Sequence, residues 1–195
     1  MNLGSALGRP RTFDENEKLD RAVEVFWRRG VVGTTTRVLE TELELTQSSI
    51  YNAFGSKNDL ADRVIDRYLD MLDDQVVSHL EGDDVGLADL HGFVDDLVSW
   101  ISNESRPGCL LLNMLAECGS GDADLVARAE QYRARLRSLF TTILERDNVA
   151  HPHHQAELLL AAVLGINVAA RSGADRAELD ALAGGLTNQL DLLAS

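Results

Sequence analysis

Apolar residues recur along this chain with the three-to-four-residue step of amphipathic helices, and the alternation that marks strands is nearly absent. Asp14, with Glu17 three residues on, opens a first helix as an N-cap pair. Leu19, Val23, Phe26 and Trp27 form its apolar stripe, and Gly30 is a natural stop. Two short helices follow over 36–43 and 46–54, the second capped by Thr46. Ser56 with Asp59 opens a fourth. Its stripe of Leu60, Val64, Tyr68, Leu72, Val76 and Leu80 keeps a strict step of four and predicts one helix from Lys57 to about Leu80.

The pattern continues downstream. Leu90, Phe93, Val94, Leu97, Trp100 and Ile101 line a fifth helix. Pro107, a residue tolerated in a first helical turn, precedes the apolar run 109–118. Leu125, Ala129, Tyr132, Leu136, Leu139 or Phe140, and Ile143 mark a seventh helix. Pro152 opens an eighth through Leu158, Ala162, Ile166 and Ala170, and Asp175 with Glu178 caps a ninth carrying Leu179, Leu182, Leu186, Leu190 and Leu193. The expected fold is all-α. An N-terminal three-helix unit with a helix-turn-helix is joined by a long helix to a larger helical domain for ligand binding and dimerisation. The expected divisions are a flexible basic arm over 1–13, a DNA-binding unit over 14–57 and an effector-binding and dimerisation unit over 58–195.

The last two helices carry Gly165, Gly184 and Gly185, each costing about 1 kcal/mol against Ala in a helix interior. The eighth is also apolar over a wider arc than one partner needs. Two readings stand: a buried core pair, or a homodimer interface in which two helices from each subunit form a four-helix bundle.

Charge refines the picture. The chain of 195 residues has a net charge of −14, which by itself argues against nucleic acid. Residues 1–57, however, hold eight Lys or Arg and eight Asp or Glu, so the whole excess lies in the remaining 138 residues. An acidic body repels phosphate and leaves only the neutral head to dock. No apolar run approaches the roughly 18 residues of a membrane span, and no apolar secretory segment opens the chain, so the cytoplasm is the expected location. Cys109 and Cys118 read as reduced thiols rather than a disulfide framework.

Residues 8–60 resemble the TetR family of bacterial one-component regulators. The resemblance rests on GRPR at 8–11, Phe26-Trp27-Arg-Arg-Gly30, Gly33-Thr34-Thr35, Leu39, Leu45-Thr46, and above all Ile50-Tyr51-x-x-Phe54-x-x-Lys57-x-x-Leu60. A further run, GCLLLN at 108–113, is similar to one in a subset of the family. Three features depart from the family pattern. Glu44 stands where the turn usually has Gly, Glu40 and Glu42 flank it, and Ala53 replaces the usual His.

The resemblance implies roles. Thr34 and Thr35 would offer hydroxyl or main-chain N–H groups to a phosphate. Gln47, Ser48, Ser49 and Asn52 would read base edges, and Tyr51 and Lys57 would hold phosphates. Arg9 and Arg11 would enter an adjacent minor groove. It also implies a small-molecule effector held within the helical body. Tyr68, Leu72, Phe93, Trp100, Met114, Tyr132 and Phe140 are candidates for an apolar pocket, with Asn113 and Asn167 as polar contacts.

Other constellations weigh less. His151, His153 and His154 read as a solvated helix start rather than a metal site, with only Glu157 nearby. Cys109 lies near a helix N-terminus, where a thiol pKa falls, so a redox sensor is conceivable, although a small buried residue is the better reading. No nucleophile, base and orienting group stand together as an enzyme requires. The reading is a homodimeric DNA-binding transcriptional regulator, a repressor released from a palindromic operator by a small apolar or amphipathic ligand. The alternatives are a thiol-redox-controlled regulator without ligand and a helical enzyme with a vestigial head.

Overall fold

A computed structural model describes residues 13–102 and 107–194. The described residues form nine α-helices and no strand: α1 (Glu15–Gly33), α2 (Thr36–Leu43), α3 (Gln47–Phe54), α4 (Lys57–Leu72), α5 (Leu87–Ile101), α6 (Leu110–Cys118), α7 (Ala123–Arg146), α8 (Pro152–Arg171) and α9 (Arg176–Leu193). None of them is long and apolar enough to cross a membrane. The capping chemistry sits where the sequence places it. Asp14 accepts from the Asn16 and Glu17 main-chain N–H groups, Thr46 accepts from Ser49 N–H, and Ser56–Asp59 and Asp175–Glu178 form reciprocal capping boxes. Gly30 breaks the helical path of α1 with φ 70°, ψ 179°, and the chain completes only a short turn beyond it.

Helix α4 differs from the expected uninterrupted helix. After Leu72 it widens into a π-helical turn (Asp73–Val77) and then tightens into a 3₁₀ turn (Ser78–Leu80). The stripe itself explains this. At 3.6 residues per turn a step of four drifts by about 40° each time, so five steps would carry the stripe about halfway round a regular helix. A wider turn takes up that drift. Leu60, Val64, Tyr68, Leu72, Val76 and Leu80 are consequently all buried, none more than 2% exposed. Arg135 of α7 pairs with Asp73 in the widened turn and with Glu81 just beyond it.

Helix α1 packs against α4 and α6, with α2 and α3 closing the head beneath it. Helix α7 lies along α8, and α5 lies against α9. The apolar core runs unbroken from Leu19 and Phe26 in the head to Leu186 and Leu190 in the last helix. Helix α8 turns Leu159, Leu160, Val163, Ile166 and Asn167 inward, while Leu158, on its expected stripe, is 59% exposed. Its wide apolar arc therefore serves two directions. Helix α6 starts at Leu110, not near Pro107, because Gly108 at φ 68° turns the chain first.

Candidate nucleic-acid interface and interior chamber

The turn between α2 and α3 is three residues long, Glu44 to Thr46. Glu44 occupies the left-handed region (φ 56°, ψ 39°), a conformation that favours Gly. The neighbouring acids are both engaged within the head. Glu40 Oε1 accepts from the Gln47 main-chain N–H at 2.8 Å and so caps α3. Glu42 pairs with Arg28 and Arg29, and the hydrogen bond from Arg29 holds its carboxyl below the ordinary range. Glu44 itself remains exposed, 3.9 Å from Lys18.

Ile50 and Phe54 anchor α3 in the core. The opposite face presents Gln47, Ser48, Tyr51 and Asn52 to solvent, with Tyr51 46% exposed. This is a row of donors and acceptors on a short helix, the form that reads base edges in a major groove. Ser49 is half-buried and hydrogen-bonded to Thr46. Thr35 caps α2, its hydroxyl accepting from Val38 N–H. Thr34 corrects the expectation of a phosphate contact through its side chain. It is fully buried, and its hydroxyl donates to the Gly30 carbonyl at 2.6 Å, satisfying the acceptor that the kink frees. Lys57 is half-buried and donates to the Val31 carbonyl at 2.6 Å, so one of its three donors ties α4 to the end of α1. Arg9 and Arg11 lie outside the described residues.

Head and body are joined by specific contacts. Trp27 of α1 packs edge-on against Tyr68 of α4 (4.9 Å between centroids) and against Trp100 of α5 (5.4 Å). Its indole N–H donates to the Gly108 carbonyl at 2.8 Å. Glu117 of α6 accepts from Val32 N–H at 3.2 Å and lies against Gly30, where any Cβ would strike the carboxylate. Arg67 of α4 grips both carboxylate oxygens of Asp20 on α1.

Behind the aromatic trio is a chamber enclosed by α4 to α8, closed down to about 20 Å³ in this conformation. Tyr68, Leu72, Phe93, Trp100, Tyr132 and Asn167 line it. The remaining expected contacts lie elsewhere, for identifiable reasons. The Asn113 amide is drawn to the Pro107 carbonyl (2.8 Å), Phe140 is committed to the core behind Phe93 (5.5 Å), and Met114 faces a separate cleft beside Cys118 and Asp122. Cys109 lines the chamber, and its sulfur accepts from the Tyr68 hydroxyl at 3.2 Å. Burial pushes its thiol pKa up, and the opposing hydrogen bonds from Tyr68 and the Leu112 and Leu111 main chain do not reverse it. The expected lowering at a helix N-terminus is thus overridden by desolvation. Burial likewise raises the Tyr68 and Tyr132 phenols, so the chamber is uncharged apart from the half-exposed Arg133.

Residues 19–64 match the family described as bacterial regulatory proteins, tetR family. Over 188 residues the chain is 26% identical to the HTH-type transcriptional repressor ComR of Escherichia coli K12, covering 91% of this chain and 89% of that protein. It is 27% identical over 135 residues to the HTH-type transcriptional regulator YezE of Bacillus subtilis, covering 69% and 70% of the two chains. Among solved structures it is similar to the TetR-family regulator CifR bound to a 26-bp double-strand operator, with TM-score 0.77, 25% identity and 93% and 98% of the two chains covered. These matches support a TetR-family DNA-binding transcriptional regulator.

On α3 the sequence places Gln47, Ser48, Ser49 and Asn52 outward; Gln47, Ser48 and Asn52 are exposed, whereas Ser49 is half-buried against Thr46. The Trp27–Gly108 and Glu117–Val32 contacts were not legible, because nothing local marks residues so distant in sequence as partners. Gly108 gave one local hint: a glycine directly after Pro107, where a helix was due to start. Leu97, Leu136, Leu160 and Val163 also line the chamber and read in sequence as ordinary core. Among the described residues no group of His, Cys, Asp or Glu is placed to hold a metal ion.

Proposed function

We propose that this regulator is a homodimeric repressor in the cytoplasm, acting by binding alone and released from a palindromic operator when a small, mostly apolar molecule enters the chamber. The observation that carries the ligand reading is the position of Tyr68. It lines the chamber, belongs to the helix that directly follows α3, and packs on Trp27 of the head. A molecule that parts Tyr68 from Trp100 and Tyr132 must move α4 or α1, and the recognition helix with them. A ligand releases DNA only through unequal affinity for the two arrangements.

Dimerisation through α8 and α9 is supported by the outward arc of those helices. An apolar groove of about 420 Å³ runs between them, lined by Leu158, Ala162, Gly165, Leu182, Gly185 and Leu186. A Cβ added at Gly165, Gly184 or Gly185 would meet nothing within 4 Å inside the protomer. Glycines that cost helix stability without easing any internal contact fit a face against which a second backbone packs. In a two-fold dimer each α3 meets one half-site, with centres about 10 bp or a multiple apart.

The deciding experiment combines sedimentation with footprinting. The wild type should sediment as a dimer and protect two inverted half-sites, and Gly185→Glu should give a folded monomer with little operator affinity. A wild-type monomer on one asymmetric site overturns the dimeric reading. A thermal-shift library screen followed by operator-release assays tests the ligand: a binder at 100 times its Kd should stabilise by about 2.7 kcal/mol. A regulator that no screened compound stabilises or releases would overturn the ligand reading.

A further inference from the structure

Asn167 sits on α8 among apolar neighbours and is only 6% exposed. Its amide nitrogen donates to the Val163 carbonyl one turn earlier, at 2.9 Å. That contact settles the orientation of the amide: a carbonyl oxygen facing Val163 would place two acceptors together. The side-chain oxygen Oδ1 is therefore the free end. It is buried and has no hydrogen-bond partner among the described residues. A buried polar atom left in that state costs free energy comparable to a lost hydrogen bond and calls for an explanation.

Asn167 lines the chamber, and its surroundings restrict what can approach it. Leu97, Leu136, Leu160 and Val163 offer no polar group, and the Tyr68 hydroxyl already donates to Cys109. The one charged lining residue, Arg133, is half-exposed and paired with Glu130. A fully charged guest would lose its hydration without finding a buried counter-ion. The Tyr68 and Tyr132 phenols stay protonated, so the lining does not acquire charge in the neutral range.

We propose that the chamber takes a neutral, largely apolar molecule bearing an N–H or O–H group, and that Asn167 Oδ1 accepts the hydrogen bond from that group. The proposal rests on the ligand-release reading above and narrows it to one ligand class. Asn167 is then the specificity-determining residue. Apolar bulk would occupy the space opened when Tyr68 parts from Trp100 and Tyr132, which are packed together in this conformation, while the single donor distinguishes a ligand from any greasy molecule of the same shape. Sites built around a buried polar group reject analogues that leave that group unpaired.

The test uses matched pairs that differ only in the donor: indole against indene, and 2-naphthol against naphthalene. Affinity is measured by calorimetry on the full chain and function by release of operator DNA. In at least one pair the donor compound should bind about tenfold tighter than its partner and release DNA at correspondingly lower concentration. Asn167→Leu keeps similar volume and should abolish that preference, with donor and donorless compounds then binding alike. Equal affinities within both pairs on the wild type overturn the proposal and do not depend on the variant's folding. So does an unbiased screen whose tightest releasing ligands are ionic or lack a donor, and so does failure of both donor probes to bind. The ligand-release reading fails separately, if no compound of any chemistry stabilises the protein or releases DNA.

Discussion

The indole N–H of Trp27 donates to the main-chain carbonyl of Gly108 across 2.8 Å, although 81 residues separate them in sequence. The bond fastens the head helix to the loop that introduces α6. Gly108 in turn lies against α8, where an added Cβ would come within 2.5 Å of the Asn167 carbonyl. Any shift of α8 would therefore meet Gly108 first and Trp27 next.

Trp27→Phe keeps an aromatic ring against Tyr68 and removes the donor. It should cost about 1–3 kcal/mol in urea unfolding, because the Gly108 carbonyl is left buried and unpaired. It should also weaken the effect of ligand on DNA binding. A variant of unchanged stability would show that water replaces the indole without penalty.

Gly108→Ala places a Cβ at φ 68° and against α8. Strain and clash together should lower stability by more than about 1 kcal/mol, and operator affinity should change even without ligand. Wild-type thermal stability and affinity in this variant would remove Gly108 from the coupling.

Glu44→Gly should stabilise the head by about 1 kcal/mol, since the left-handed conformation carries a penalty of that order for a residue with a Cβ. It should also tighten operator binding by removing an exposed carboxylate beside α3. Weaker binding would mean that the contact with Lys18 positions the turn.

Lys57→Ala should weaken binding to operator and scrambled DNA alike and lower the salt slope by about one. It should also reduce stability through the lost bond to the Val31 carbonyl. Gln47→Ala should instead relax preference at one base position, by roughly 1–3 kcal/mol if the contact is bidentate. Titrations on both DNAs at two salt concentrations separate the two effects, and identical behaviour of the variants would reassign the α3 face.

The acid limb of the stability curve should report on Glu42. Its carboxyl is held below the ordinary value of 4.5 by Arg29, so its contribution is present above that pH and is lost as the pH falls through its folded value. Urea titrations of wild type and Glu42→Gln should differ at pH 6 and converge toward pH 3. A gap constant across that window would show that the Arg28–Arg29–Glu42 cluster adds nothing through charge.

Sequence alone determined most of the elements and most of their caps, because both are local; the exception is α4, which ends at Leu72 where its stripe predicted a helix to about Leu80. A helix announces itself by the spacing of residues such as Leu19, Val23 and Phe26, and its start by Asp14, Thr46 or Ser56. The exposed face of α3 was legible for the same reason, since a single short helix holds Ile50 and Phe54 on one side and Gln47 and Asn52 on the other. Tertiary structure alone decided which polar groups remained available. Thr34 is consumed by the carbonyl that Gly30 frees and Asn113 by Pro107, while Lys57 commits one of its three donors to Val31. It also decided that burial, not helix position, governs the Cys109 thiol, and that Asn167 keeps one acceptor free inside the chamber. Hydrogen bonding and desolvation depend on atoms brought together from distant parts of the chain, and periodicity carries no record of them.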